Sequence, residues 1–148
     1  MSRAQNEILL NLIYKNAKTS IRTIDSLLTR IENKDFRTDI YKQRTGYMNA
    51  TLNAFEGLHN CGSLPHEDAP TQKRTLFSGV KLKISTNHSA SFLSQLIWSS
   101  CKTCVDDINK GIRCNLGADQ EYLEMARRLM RLNEKYMNDM NKYMTKRI

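Results

Sequence analysis

Prolines, glycines and histidines are few in this chain of 148 residues: two, six and three. Both prolines, Pro65 and Pro70, lie in one middle stretch, so the segments on either side contain no residue that forces a helix to break. A phosphate-cradling glycine loop is missing, and so is the sharp Gly-x-Ser-x-Gly turn of a nucleophile elbow. No run approaches the roughly 20 apolar residues that a membrane span requires. The amino terminus, Met1-Ser2-Arg3-Ala4-Gln5-Asn6-Glu7, is polar and lacks the apolar core of a signal peptide. These absences predict a soluble cytoplasmic protein with no membrane contact, in which the four cysteines are thiols rather than a disulfide framework.

Hydrophobic residues make up 40% of the chain, enough for one domain with one substantial core. The net charge of +8 raises the question of nucleic acid, because clustered Lys and Arg would displace counterions from phosphates. Here the bases are spread. In the last segment Arg127, Arg128, Arg131, Lys135, Lys142, Lys146 and Arg147 are interleaved with Asp119, Glu121, Glu124, Glu134 and Asp139. Acids lead and bases trail, as a helix dipole favours without any partner. A nucleic-acid surface is therefore not expected.

What the chain does have is periodicity. Four segments repeat apolar residues at alternating spacings of three and four, which puts them on one helix face. The first, about 4–32, carries Leu10, Tyr14, Ala17, Ile21, Ile24, Leu28 and Ile31 behind a Ser2-x-x-Gln5 capping box. The second, about 35–58, carries Phe36, Ile40, Gln43, Tyr47, Ala50 and Ala54, with Gly57 and Gly62 marking its end. A third, about 89–110, carries Leu93, Ile97, Cys101, Cys104 and Ile108, with Gly111 as its stop. The fourth, about 118–146, carries Tyr122, Ala126, Leu129, Asn133, Tyr136, Met140 and Tyr143. Only Val80-Lys81-Leu82-Lys83-Ile84 hints at a strand. The fold class is thus all-α, a four-helix bundle.

Short connections at Asn33-Lys34 and between Gly111 and Gly117 make each neighbouring pair an antiparallel hairpin. Between helices two and three lie residues 59–88. A helix of about 24 residues is roughly 36 Å long at ~1.5 Å per residue, and this connection can traverse that length. A loop so long usually has a task. The simplest task is a crossover that makes helices two and three parallel, the ferritin-like arrangement, with an up-down-up-down path as the alternative.

Three stretches carry a resemblance: Asn6-Glu7-Ile8-Leu9-Leu10-Asn11-Leu12-Ile13-Tyr14-Lys15-Asn16-Ala17, then Phe36-Arg37-Thr38-Asp39-Ile40-Tyr41-Lys42-Gln43 with Tyr47, and His88-Ser89-Ala90-Ser91-Phe92-Leu93-Ser94-Gln95. With these the chain resembles small ferritin-like four-helix bundle proteins of anaerobic, spore-forming bacteria of the Clostridia type, over most of its length. The resemblance implies a crossover bundle and a bacterial cytoplasm. It implies no activity.

A di-iron carboxylate centre needs a Glu from each of two helices and a Glu-x-x-His from each of the other two. The chain has one such match, Glu56-Gly57-Leu58-His59, at the end of helix two, and helix four has no histidine. Mid-bundle, the inward positions offer Gln43, Tyr47, Asn133 and Ser100, neutral groups that hold hard cations poorly. Gln43 and Asn133 are expected as buried amides hydrogen-bonded within the core. No cofactor and no ferroxidase-type centre is expected.

Cys101 and Cys104 continue the stripe from Ile97 to Ile108, so both should pack in the core as small hydrophobes. A redox pair would sit at a helix start, where unpaired amides depress the thiol pKa. The metal alternative is an end-of-bundle zinc or iron site near Glu7, Glu56, His59, Cys61, Cys104 and Cys114, with sulfur and imidazole donors. The up-down path would bring His88 to that end instead. Its plain counterpart is that His59, Cys61 and His66 are loop residues. Cys61 with His59 or His66 is a conceivable nucleophile pair but has no scaffold, so no catalytic residue and no enzyme activity is expected.

Helix four also carries Met125, Met130, Met137, Met140 and Met144 beside its three tyrosines, on more than one face. Flexible methionines suit adaptable interfaces. This predicts a homo-oligomer or a protein partner engaged through helix four. The leading expectation is a non-enzymatic bundle acting by interaction or as a structural component.

Overall fold

The computed structural model describes residues 2–66 and 89–144. Among them the chain forms four α-helices and no strand: α1 (Arg3–Leu28), α2 (Lys34–Asn60), α3 (Ala90–Cys114) and α4 (Gln120–Met144). The segment Val80 to Ile84 and His88 lie outside the described residues.

Three helices start on a polar cap. Ser2 Oγ accepts from Gln5 N (3.2 Å), Asn33 Oδ1 from Phe36 N (3.0 Å) and Ser89 Oγ from Phe92 N (3.1 Å), each satisfying an amide that the first turn leaves open. The predicted capping box is half formed, because Gln5 Oε1 is buried without a partner. α2 ends in a Schellman turn: Gly62 takes φ +75°, with Gly62 N bonded to His59 O (2.9 Å) and Ser63 N to Leu58 O (2.8 Å).

Two glycines predicted to mark helix ends lie inside helices instead. α2 runs through Gly57, and α3 runs through Gly111 to Cys114. Packing is the reason. A Cβ on Gly57 would come within 2.8 Å of Leu10 Cδ2, and one on Gly111 would overlap Leu12 Cδ2, so both glycines let α1 approach closely.

The four apolar stripes close on one core, in which Leu9, Leu10, Ile13, Phe36, Ile40, Leu58, Leu93 and Ile108 are all fully buried. α1 packs on α2 and α3 packs on α4, the two predicted hairpins. One end of the bundle is tied by Ser2 N to Gly117 O (3.3 Å) and by Asp119 N to Asn6 Oδ1 (2.7 Å), and Gly57 lies there beside Leu10 and Tyr122. At the other end Phe36 stacks on Tyr143 (4.6 Å), and Ile31, Phe36, Ser89 and Leu93 line a cavity of about 250 Å³. There too Tyr143 Oη donates to Asp39 Oδ2 (2.6 Å), and Lys142 Nζ lies 2.8 Å from the same oxygen. Burial pushes the Asp39 carboxyl up, but the Lys142 and Tyr143 hydrogen bonds outweigh it and hold it below its ordinary value.

Candidate functional site

The six residues of the metal alternative are dispersed, and among the described residues no group of three or more His, Cys, Asp or Glu side chains converges. Glu7 is paired with Arg3 (3.0 Å) and hydrogen-bonded to Ser63, and these contacts hold its carboxyl below the ordinary value. Glu56 lines a groove of about 610 Å³ between α2 and α4. His59 is exposed on the last turn of α2. Cys61 caps that helix, half-buried against Tyr122, whose phenol burial pushes up to about 12. Cys114 is exposed and lines a different groove, between α1 and α3, with His66. Cys104 lies at mid-bundle, far down the α3 stripe from Cys114. A helix places residues ten apart about 15 Å from one another along its axis, which separates Cys104 from the rest of the set.

Mid-bundle, the structure brings together groups that the sequence marked only as inward. Tyr47 Oη donates to Asn133 Oδ1 (2.6 Å). That uses the phenol's one proton, so at 3.3 Å the Cys101 thiol is the donor to Tyr47 Oη. Asn133 Nδ2 spends one hydrogen on Leu129 O (2.8 Å) and the other on Cys104 Sγ (3.2 Å). Three helices are thereby pinned at one level. Burial pushes the Cys101 thiol up to about 11 and the Cys104 thiol up to about 12. Both are protonated at neutral pH, the opposite of what a nucleophile or thiolate ligand needs.

Two inward expectations need correction. Gln43 is buried, but neither its Nε2 nor its Oε1 finds a partner. It stands one turn from Tyr47, whose hydroxyl is already engaged by Asn133 and Cys101. Ser100 is half-buried and not an inward-facing core residue.

The surface holds the residues that the sequence reading missed. Of the exposed large hydrophobic side chains, Tyr41 (54% exposed), Met48 (42%), Leu52 (62%) and Phe55 (44%) all stand on α2. Their spacings of seven, four and three put them in one line along the helix. That line runs beside the inward stripe of Ile40, Tyr47 and Ala54, and this second period was the signal available in the sequence. On its α1 side it is bordered by Arg44, which grips Asp25 with two hydrogen bonds (2.7 and 3.2 Å) and also reaches Met48 Sδ (3.1 Å). Lys42 and Glu56 stand exposed on its other side.

α4, the helix predicted to carry the interface, has its apolar side chains engaged in the core. Met140 is fully buried, and Met125, Met130, Met137 and Met144 are half-buried against the cluster. None of the large exposed hydrophobics among the described residues is on α4. Its basic surface is matched locally, with Glu124 taking Arg131 (2.6 Å), Arg128 (3.8 Å) and Arg127 (3.9 Å), and Lys135 taking Asp139 (3.1 Å). No helix is long and apolar enough to cross a membrane among the described residues. No protein-family model, no curated protein and no solved structure matches this chain.

Proposed function

We propose that this chain is a non-enzymatic helical bundle that acts by binding protein, with ferritin-like topology but without a di-iron ligand set. The single observation that carries the reading is the α2 face of Tyr41, Met48, Leu52 and Phe55, an apolar line left 42% to 62% exposed. Two further facts support the topology and the missing iron site. α2 finishes beside Leu10 and Tyr122, whereas α3 starts beside Ile31 and Phe36 at the opposite end, as a crossover between parallel helices requires. The buried polar side chains among the described residues are amides and hydroxyls, such as Gln43, Asn133, Ser20 and Thr23, with no carboxylate or imidazole among them. The family resemblance adds a setting, a bacterial cytoplasm.

The experiment asks whether the α2 face is free in the isolated chain. Denaturant unfolding of Leu52→Lys, at a concentration low enough that the midpoint no longer depends on it, should stay within about 0.5 kcal/mol of the parent, as for an exposed site. A loss above about 2 kcal/mol would show that the chain buries this face itself, and the reading fails.

A further inference from the structure

The occupant of the α2 face can be named by its chemistry. We propose that it is a second copy of this chain, with the two α2 helices packed antiparallel about a two-fold axis at Met48. The inference rests on the reading of that face as an interaction surface and adds partner and register to it.

Three of the four residues on the line are placed symmetrically about Met48, and the fourth, Leu52, falls opposite Arg44 of the second copy. Tyr41 lies seven residues before it and Phe55 seven after, both exposed and both on the same line. In an antiparallel pair centred there, Met48 meets its own copy and Tyr41 meets Phe55 of the second copy. An aromatic ring thus packs on each flank of a central thioether pair. Such a contact is isologous, one patch that is its own complement, and this is what closes a dimer.

Charge selects the direction. Lys42 follows Tyr41 and Glu56 follows Phe55, and both are exposed on the same side of the line. Antiparallel packing places Lys42 beside Glu56 of the second copy, and the two-fold axis makes the pair twice. Parallel packing about a two-fold axis would instead turn Lys42 toward the Arg44 border of the second copy and away from Glu56, so the pair would not form. The other border is already neutralised within each copy by the Arg44–Asp25 pair.

The chain leaving α2 heads elsewhere. Ser63 hydrogen-bonds Glu7 on α1, and His66 N donates to Asn11 Oδ1 (2.8 Å). With Leu12, Lys110 and Cys114, His66 lines the groove between α1 and α3, so by residue 66 the described chain stands on the side of α1 away from this face.

Area sets the strength. From Tyr41 to Phe55 the line is about 21 Å long. Four side chains near half exposure bury less than the roughly 800 Å² per partner of a standard stable interface. The dimer is therefore a micromolar association rather than a nanomolar one.

Sedimentation velocity across about 1 to 300 µM should show a reversible monomer–dimer equilibrium, and Leu52→Lys should weaken it by about 100-fold or more. Register is read by disulfide trapping in a Cys61→Ser, Cys114→Ser background. Met48→Cys should cross-link efficiently with itself under mild oxidation. Tyr41→Cys alone should not, its two copies lying about 21 Å apart along the helices, whereas Tyr41→Cys combined with Phe55→Cys should. A strict monomer throughout the range overturns the proposal while leaving a different protein partner open. A dimer in which Met48→Cys fails to trap overturns the register. A Leu52→Lys variant that loses stability as a monomer places another part of the chain on the face and overturns this proposal together with the broader reading.

Discussion

Tyr47 and Met48 are sequence neighbours with inverted placements. The phenol, a polar group, is 2% exposed, and its hydroxyl is paired with Asn133 and Cys101. The thioether, an apolar group, is 42% exposed. One turn of α2 thus hides polarity on one side and shows grease on the other. Both arrangements oppose the usual partition, but they are resolved differently. The inner group finds its partners within the chain, whereas the outer one finds only Arg44 at its rim. A buried polar cluster whose members are paired fixes helix register. On the reading proposed above, the exposed apolar line is met by a surface from outside.

The inner cluster should prove indispensable to the fold, because it holds three helices at one level. Asn133→Ala removes the acceptor for Tyr47 and opens a hole among three helices. A loss of about 3 kcal/mol is expected, a fall in Tm on the order of 10 °C for a chain of this size. Adding Tyr47→Phe to the same chain should cost less than it does alone, since the hydroxyl has already lost its acceptor. A loss under about 1 kcal/mol for Asn133→Ala would show that the cluster does not set the register.

Alkali probes the same place. The Cys101 and Cys104 thiols titrate near 9.0 when free and at about 11 and about 12 when buried. Their raised values favour the folded state fully below pH 9. That contribution is lost as the pH climbs from 9 through the folded values, because the unfolded chain ionises first. At pH 10 the combined loss is on the order of 2 to 3 kcal/mol, read as a lower denaturation midpoint that Cys101→Ala partly flattens. At pH 8 a thiol reagent should modify the exposed Cys114 quickly and leave Cys101 and Cys104 protected until the chain unfolds.

The glycines sharpen the contrast between rigid and yielding neighbours. A Cβ on Gly46 would overlap the Tyr136 hydroxyl, whose ring is locked edge-on against Tyr47 at 5.3 Å. Gly46→Ala should therefore destabilise by about 2 kcal/mol despite the better helix propensity of alanine. A Cβ on Gly111 meets the end of the Leu12 side chain, which can swing aside. The propensity gain of roughly 1 kcal/mol then offsets the clash, and Gly111→Ala should be nearly neutral.

These glycines also mark where the sequence was ambiguous. A glycine that ends a helix and one that admits a neighbouring side chain look alike along a chain. Leu12, which decides the matter for Gly111, lies 99 positions away. Gly62, by contrast, was legible as a stop because a helix end is a local event. The inward stripes were legible for the same local reason, so Gln43, Tyr47, Asn133 and the two cysteines could be placed in the core from spacing alone. Their pairing could not be, since Tyr47 and Asn133 meet across two hairpins. The outer line on α2 was written at spacings as regular as the inner one. It was obscured by the greater apolar density of α4, whose methionines the core absorbs.

Gln43 provides the smallest effect and one of opposite sign. It shares the inward stripe with Tyr47, yet both its amide atoms are buried unpaired. A buried amide without partners carries a desolvation penalty that an apolar side chain of similar length does not. Gln43→Met should therefore stabilise the chain by about 1 kcal/mol, measured by denaturant unfolding with an unchanged slope, while Asn133→Ala at the same depth destabilises it. If Gln43→Met instead lowers stability by more than about 1 kcal/mol, the amide is satisfied by ordered water and belongs to the paired interior. The contrast between the two faces of α2 would then hold without exception.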